Sequence, residues 1–211
     1  MNEKNFLFDF DGTLVDSMPY FISTMLRILD ENGIEYGDDI IKIITPLGYL
    51  GTAKYFKSLG IKQSEDELMH TMNSYIEEAY FYKIPAKDGV VDTLLSMREG
   101  GYSLNILTAS PHTVLDPCLK RLGIFELFDN VWSCDDFETS KADPEIYKIA
   151  AKRLNIAPSQ VVFVDDNINA VKTAKSAGVM AIGIYDDSSS DMVEKMREAA
   201  DGYVMNFKEL L

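Results

Sequence analysis

Short runs of consecutive apolar residues alternate along the chain with longer stretches in which apolar positions recur every three or four residues. Phe6-Leu7-Phe8, residues 102–107, residues 130–134, residues 161–164 and residues 179–184 are the short, mainly apolar runs and read as strands, the first of them, unbroken in its apolar character, as a strand buried on both faces. Residues 88–100, 111–122, 143–154 and 168–177 read as helices between them. Gly100-Gly101 and Gly178 stop two of these helices, and Pro144 opens another at an early helical position. Helices alternating with apolar strands predict an α/β fold, a doubly wound parallel sheet covered on both faces. In such a sheet, ligands bind beyond the carboxyl ends of the strands.

Residues 16–85 break this rhythm. They carry helical periodicity without a convincing strand: residues 19–32 are amphipathic and closed by Gly33, residues 50–59 end at Gly60, and residues 65–82 follow Ser64, a natural helix cap. The organisation expected is therefore an α/β core from residues 1–15 and 86–211, with a helical cap over residues 16–85. Residues 83–86 are the return hinge. A lid hinged beside a strand end can exclude water and contact a substrate.

Polar residues end several of the apolar runs. Asp9 and Asp11 follow the first, and alternation along an extended backbone sends both to one side, while Gly12 lets the chain turn. Two like charges so placed call for a cation or a shared proton. Thr108 with Ser110 ends the second run, Asp165 and Asp166 end a later one, and Lys141 stands in the loop before the Asp143-Pro144 helix. Each alone has an ordinary structural reading as a turn, a cap or a solvated charge. Together they supply what in-line phosphoryl transfer to a carboxylate requires: an acceptor oxygen, a cation, donors for the phosphoryl oxygens and an acid for the leaving group.

The string Asp9-Phe10-Asp11-Gly12-Thr13 resembles the first motif, D-x-D-G-T, of the haloacid dehalogenase-like (HAD) phosphatase superfamily, and Thr108, Lys141 and Asp165/Asp166 follow in the order of its other three motifs. The resemblance spans nearly the whole chain and implies a Rossmann-like core with an inserted cap. It implies that Asp9 is the nucleophile forming an aspartyl-phosphate, and that Asp11 protonates the leaving alkoxide and then activates water. It further implies that Thr108, Ala109, Ser110 and Lys141 bind the phosphoryl group. Asp9, Asp165, Asp166 and the Asp11 backbone carbonyl would hold Mg²⁺, for which all-oxygen coordination is suited. Relatives commonly have Lys-Pro where this chain has Lys141-Ala142.

The function expected is a Mg²⁺-dependent phosphatase of the capped subgroup resembling phosphoglycolate phosphatase, acting on a small phosphorylated metabolite. A β-phosphoglucomutase-like enzyme would use the same aspartyl-phosphate, but mutases of that kind carry a cap-loop arginine and residues 47–54 have none. A dehalogenase would lack Asp11, and a phosphonatase would need a cap lysine, for which Lys42 and Lys54 are candidates. A non-enzymatic phospho-acceptor domain would end its last strand on a lysine, where this chain has Tyr185-Asp186-Asp187-Ser188. Substrate contacts are expected from Tyr49 and Lys54, on a glycine-containing loop at residues 48–54 that faces the phosphate site. His70 and His112, with no carboxylate or cysteine partner at ligand spacing, read as a helix-surface and a helix-start residue.

Composition sets the remaining bounds. The 211 residues, 46% hydrophobic, suit one core plus a small appended domain, and the net charge of −14 argues against nucleic acid and anionic membranes as partners. No apolar stretch approaches the roughly 20 residues that span a bilayer, and the first five residues are polar. A cytoplasmic monomer is expected. Cys118 and Cys134 form neither a metal pair nor a redox motif and read as reduced, structural residues.

Overall fold

The computed structural model describes residues 5–211. The polar residues 1–4, expected to lead into the first strand, lie outside the described residues. Six parallel strands form one sheet in the order β3-β2-β1-β4-β5-β6: β1 Asn5–Phe8, β2 Ser103–Thr108, β3 Asn130–Ser133, β4 Val161–Asp165, β5 Met180–Ile184 and β6 Gly202–Val204. The order reverses between β1 and β4, which makes their carboxyl ends the switch point of a doubly wound sheet. β1 and β4 are buried along their whole length, as their unbroken apolar runs require. The helices α5 Val90–Glu99, α6 His112–Arg121, α7 Pro144–Arg153, α8 Ile168–Ser176 and α9 Val193–Ala199 connect these strands. One core cluster joins Leu7, Leu107 and Phe163 of the sheet to Tyr147 of α7 and Val171 of α8.

The chain divides into two compact units, one made of the segments up to Asp16 and from Pro85 to Leu211, the other Ser17–Ile84. The second unit holds α1 Met18–Glu31, α2 Ile40–Ile44, α3 Gly48–Ser58 and α4 Glu65–Tyr82. It has its own core, including Leu29, Ile40, Phe56, Leu68 and Met72. Ser64 caps α4 as its position suggested: Ser64 Oγ accepts from Glu67 N, and Glu67 Oε2 accepts from Ser64 N at 2.7 Å. α2, α9 and β6 are additions to the sequence reading. Each is short, and three to seven residues give too few repeats for a period to stand out.

The helix expected over residues 50–59 is α3, but it begins two residues earlier, so the stretch 48–54 also expected as a loop forms its first turns. Gly48 alone takes a left-handed φ, +62°, at the junction with the preceding 3₁₀ turn, while Gly51 lies inside the helix. The two glycines suggested a loop, but the run from Thr52 to Phe56 buries three side chains and holds the helix together. Among the described residues, no helix is long and apolar enough to cross a membrane.

Candidate active site

β1 runs in register with β2 and β4, Phe8 lying opposite Ile106 and Val164. One residue on, Asp9 emerges beside Asp165, and its N–H prolongs the ladder by donating to the Val164 carbonyl at 2.9 Å. The Asp9 side chain is buried, and its Oδ1 lies 2.6 Å from Lys141 Nζ. The same ammonium reaches Asp165 Oδ2 at 2.9 Å. Lys141 comes from the loop before α7, which Tyr147 steadies by donating its hydroxyl to the Lys141 carbonyl at 3.2 Å. Asp143 caps that helix, accepting from Glu145 N.

Asp165 is wholly buried, and its Oδ1 accepts from Asn167 N at 2.6 Å. Asp166 accepts from Thr13 Oγ1 at 3.2 Å. Gly12 sits against it: a Cβ there would come within 2.6 Å of Asp166 Oδ2, and the Gly12 φ of +76° is left-handed. Both facts demand glycine. Asp9, Asp165 and Asp166 each offer a carboxylate oxygen within 4.8 Å of the others, an all-oxygen donor set that fits a hard divalent cation such as Mg²⁺. Burial pushes the Asp165 and Asp166 carboxyls up, and neighbouring carboxylate charges add to it. Such a cluster is one that a cation would relieve. Burial works against the Lys141 ammonium, but the Asp165 and Asp9 charges outweigh it and hold that group well above its ordinary value.

Asp11 faces other partners. Its Oδ2 accepts from Ser110 Oγ, and Ser110 N donates to Thr108 Oγ1 at 3.1 Å. Thr108 ends β2 with its side chain buried, and Ala109 is exposed in the turn that follows. The Asp11 carboxylate is thus tied to residues 108–110 while Asp9 is tied to Lys141. The turn after Asp11 is tight: Gly12 N donates to the Val15 carbonyl at 3.0 Å, and Leu14 N and Val15 N both donate to the Phe10 carbonyl.

The α/β unit thereby brings together Asp9, Asp11, Thr108, Ser110, Lys141, Asp165 and Asp166. Tyr49 and Lys54 belong to the helical unit, on α3. Tyr49 is half-buried, its ring 6.3 Å from that of Phe21, beside a cavity of about 150 Å³ lined by Met18, Phe21, Ile22, Met25 and Ile44. Lys54 is exposed, as is His70 on α4. His112 is the first residue of α6, but it does have carboxylate partners: Nδ1 lies 2.8 Å from Asp116 Oδ1, and Nε2 lies 2.9 Å from Asp136 Oδ2. Asp116 is one helical turn away, and Asp136 arrives from the 3₁₀ turn after β3, a contact that sequence spacing does not contain. Cys118 and Cys134 are buried free thiols. Two residues escaped the sequence reading. Thr13 supports Asp166 and stands inside the first motif, where it could have been singled out. Lys87, whose ammonium reaches the Gly12 carbonyl at 2.7 Å, is a lone lysine in no pattern.

The family model of haloacid dehalogenase-like hydrolases matches residues 6–184. Pyrophosphatase PpaX of Bacillus velezensis is 31% identical over 179 residues, covering 84% of this chain and 81% of its own. A phosphoglycolate phosphatase of Colwellia psychrerythraea is 30% identical over 187 residues, covering 84% of this chain and 82% of its own. Among solved structures, a candidate β-phosphoglucomutase from Thermotoga maritima shares the fold with a TM-score of 0.83 at 24% identity, covering 95% of this chain and 94% of that one. With the match running from β1 to the end of β5 and enclosing all four clusters of polar strand-end residues, the chain belongs to the haloacid dehalogenase-like hydrolase family.

Proposed function

We propose that this hydrolase is a Mg²⁺-dependent phosphatase that cleaves a small phosphate monoester through an aspartyl-phosphate on Asp9. The observation that carries the reading is the division of labour between two carboxylates one residue apart. Asp9 is buried and paired with Lys141, while Asp11 is hydrogen-bonded to Ser110 on the opposite flank. An Asp9 oxygen attacks phosphorus as the ester P–O bond breaks, and Asp11 gives its proton to the departing alkoxide. Water then attacks the same phosphorus, Asp11 takes its proton, and the bond from phosphorus to Asp9 breaks to release inorganic phosphate. Lys141, the Thr108 and Ser110 hydroxyls and the backbone at Ala109 hold the phosphoryl oxygens. Asp9, Asp165, Asp166 and the Asp11 carbonyl would hold Mg²⁺, which when bound supplies the positive charge that lets a phosphate dianion approach these carboxylates. Relatives named as a pyrophosphatase and a phosphoglycolate phosphatase support phosphate chemistry. A small phosphorylated metabolite as substrate, substrate contacts from Tyr49 and Lys54, and a cytoplasmic monomer complete the proposal.

The test is phosphate release from a panel of phosphoglycolate, sugar phosphates, nucleoside monophosphates and p-nitrophenyl phosphate, with Mg²⁺ and with EDTA. Release that requires Mg²⁺ is expected. In the same panel, Asp11→Asn should slow alkyl esters by about 10²- to 10⁴-fold and p-nitrophenyl phosphate least, because a good leaving group needs no proton. No release from any ester would overturn the reading, and return of the phosphoryl group to a sugar hydroxyl would make the enzyme a mutase.

A further inference from the structure

Outside the carboxylate cluster, a charged group of the α/β unit with every donor engaged is Lys87, just past the point where the chain returns from the helical insert. Its backbone closes the junction: Lys87 N donates to the Leu14 carbonyl at 3.0 Å, Asp16 N donates to the Pro85 carbonyl at 3.0 Å, and Val15 pairs with Ala86 as an antiparallel bridge. Its ammonium reaches the Gly12 carbonyl at 2.7 Å, the Tyr185 carbonyl at 2.7 Å and Asp186 Oδ2 at 3.0 Å. Three donors meet three acceptors, which is all an ammonium can do. Asp186 is itself buried and anchored, its Oδ1 accepting from Ser188 N at 3.0 Å and from the Ser188 hydroxyl. Burial pushes the Asp186 carboxyl up, but Ser188 and Lys87 outweigh it and hold it below its ordinary value, so the anchor stays ionised.

We propose that Lys87 is a positioning residue for the general acid, holding the Gly12 carbonyl against the loop after β5 and so fixing where Asp11 points. The peptide after Asp11 has little other freedom. Gly12 N is committed to Val15, the far side of Gly12 is filled by the Asp166 carboxylate, and its left-handed φ is held by that turn. Once the Gly12 carbonyl is released, the turn can shift as a unit, and the Asp11 carboxylate moves with it. The inference rests on the reading of Asp11 as the acid for the leaving group.

Lys87→Met keeps the length of the side chain and removes the ammonium. Because misplacing a catalytic group by about 1 Å can cost about 10²-fold, we expect kcat for an alkyl ester such as phosphoglycolate to fall by about 10- to 100-fold. The loss for p-nitrophenyl phosphate should be smaller and KM little changed, so the ratio of aryl to alkyl turnover rises. Amide hydrogen exchange over residues 10–16 should quicken in the same variant. Lys87→Met/Asp186→Asn, which leaves no unpaired buried charge and keeps the Ser188 contact, should show the same rise in ratio, and it serves if the single variant does not fold. Equal losses for both esters, or exchange over residues 10–16 unchanged from wild type, would overturn the proposal. If wild-type protein releases phosphate from neither ester, the functional reading fails instead, and the exchange measurement alone decides whether Lys87 fixes the turn.

Discussion

Lys141 and Asp9 form one ion pair, yet removing its two ends should have very unequal consequences for stability. With an effective dielectric near 20, the 2.6 Å contact to Asp9 and the 2.9 Å contact to Asp165 are each worth about 6 kcal/mol before desolvation is counted. Lys141→Met loses both and leaves the buried carboxylates uncompensated, for which the net cost of breaking a buried pair is about 3–5 kcal/mol. In a chain of this size each kcal/mol moves Tm by about 2–4 °C, so a fall of about 6–20 °C is expected. Asp9→Asn loses one attraction of about 6 kcal/mol, but it also removes repulsion from two carboxylates no farther than 4.8 Å away, about 3.5 kcal/mol or more apiece. These nearly cancel, and its Tm should stay within a few degrees of wild type. The assay is thermal unfolding in EDTA at slightly alkaline pH, then with millimolar Mg²⁺. Added Mg²⁺ should restore more to Lys141→Met than to Asp9→Asn, which has lost a ligand. Asp9→Asn should also have no turnover, since an amide is a poor nucleophile. A Lys141→Met protein that melts with wild type in EDTA, or an Asp9→Asn protein that falls as far as Lys141→Met, would refute this electrostatic account.

Gly12→Ala should cost about 1–2 kcal/mol from the left-handed backbone alone, and displacement of the Asp166 carboxylate should weaken Mg²⁺ binding; a calorimetric Mg²⁺ titration equal to wild type would contradict the close contact. For His112, the Asp116 and then the Asp136 hydrogen bonds raise the imidazole above its usual value. Its stabilising contribution is therefore complete below about pH 6.5 and is lost as pH rises through the raised value. The stability difference between wild type and His112→Gln, read from urea midpoints, should shrink from pH 6 to pH 9; with the ring 40% exposed it should not exceed about 1 kcal/mol. A difference that grows with pH would reverse the sign of the argument.

Much of this molecule could be read from its residues because strand ends and chemistry coincide. Asp9, Thr108 and Asp165 each close an apolar run, so the pattern that predicts the strand also locates a side chain of the candidate site. The helix cap at Ser64 and the Asp143-Pro144 helix start were equally legible, since both are local. What was hidden is what depends on distant partners. The contact between His112 and Asp136 spans a strand, the Lys87 ammonium meets residues far from it in both directions, and β6 has only three residues whose pairing with β5 decides their conformation. At residues 48–54 local and tertiary preferences conflicted. The glycines favoured a loop, and burial of Thr52, Ala53 and Phe56 prevailed.

The antiparallel bridge between Val15 and Ala86 has a consequence for how such a protein can be remade. The last residue before the helical segment and the first after it, Asp16 and Pro85, already share a backbone hydrogen bond of 3.0 Å. Seen from the sheet, everything from Ser17 to Ile84 is the tip of a β-hairpin. A two-residue turn of the Asn-Gly kind could replace it if Pro85 were changed as well, since such a turn closes on an N–H that proline lacks, and a different folded module with adjacent termini could be grafted there. Asp9 and Asp165 both lie outside the Ser17–Ile84 stretch, so a change made within that stretch leaves the strand ends that carry them unaltered in sequence.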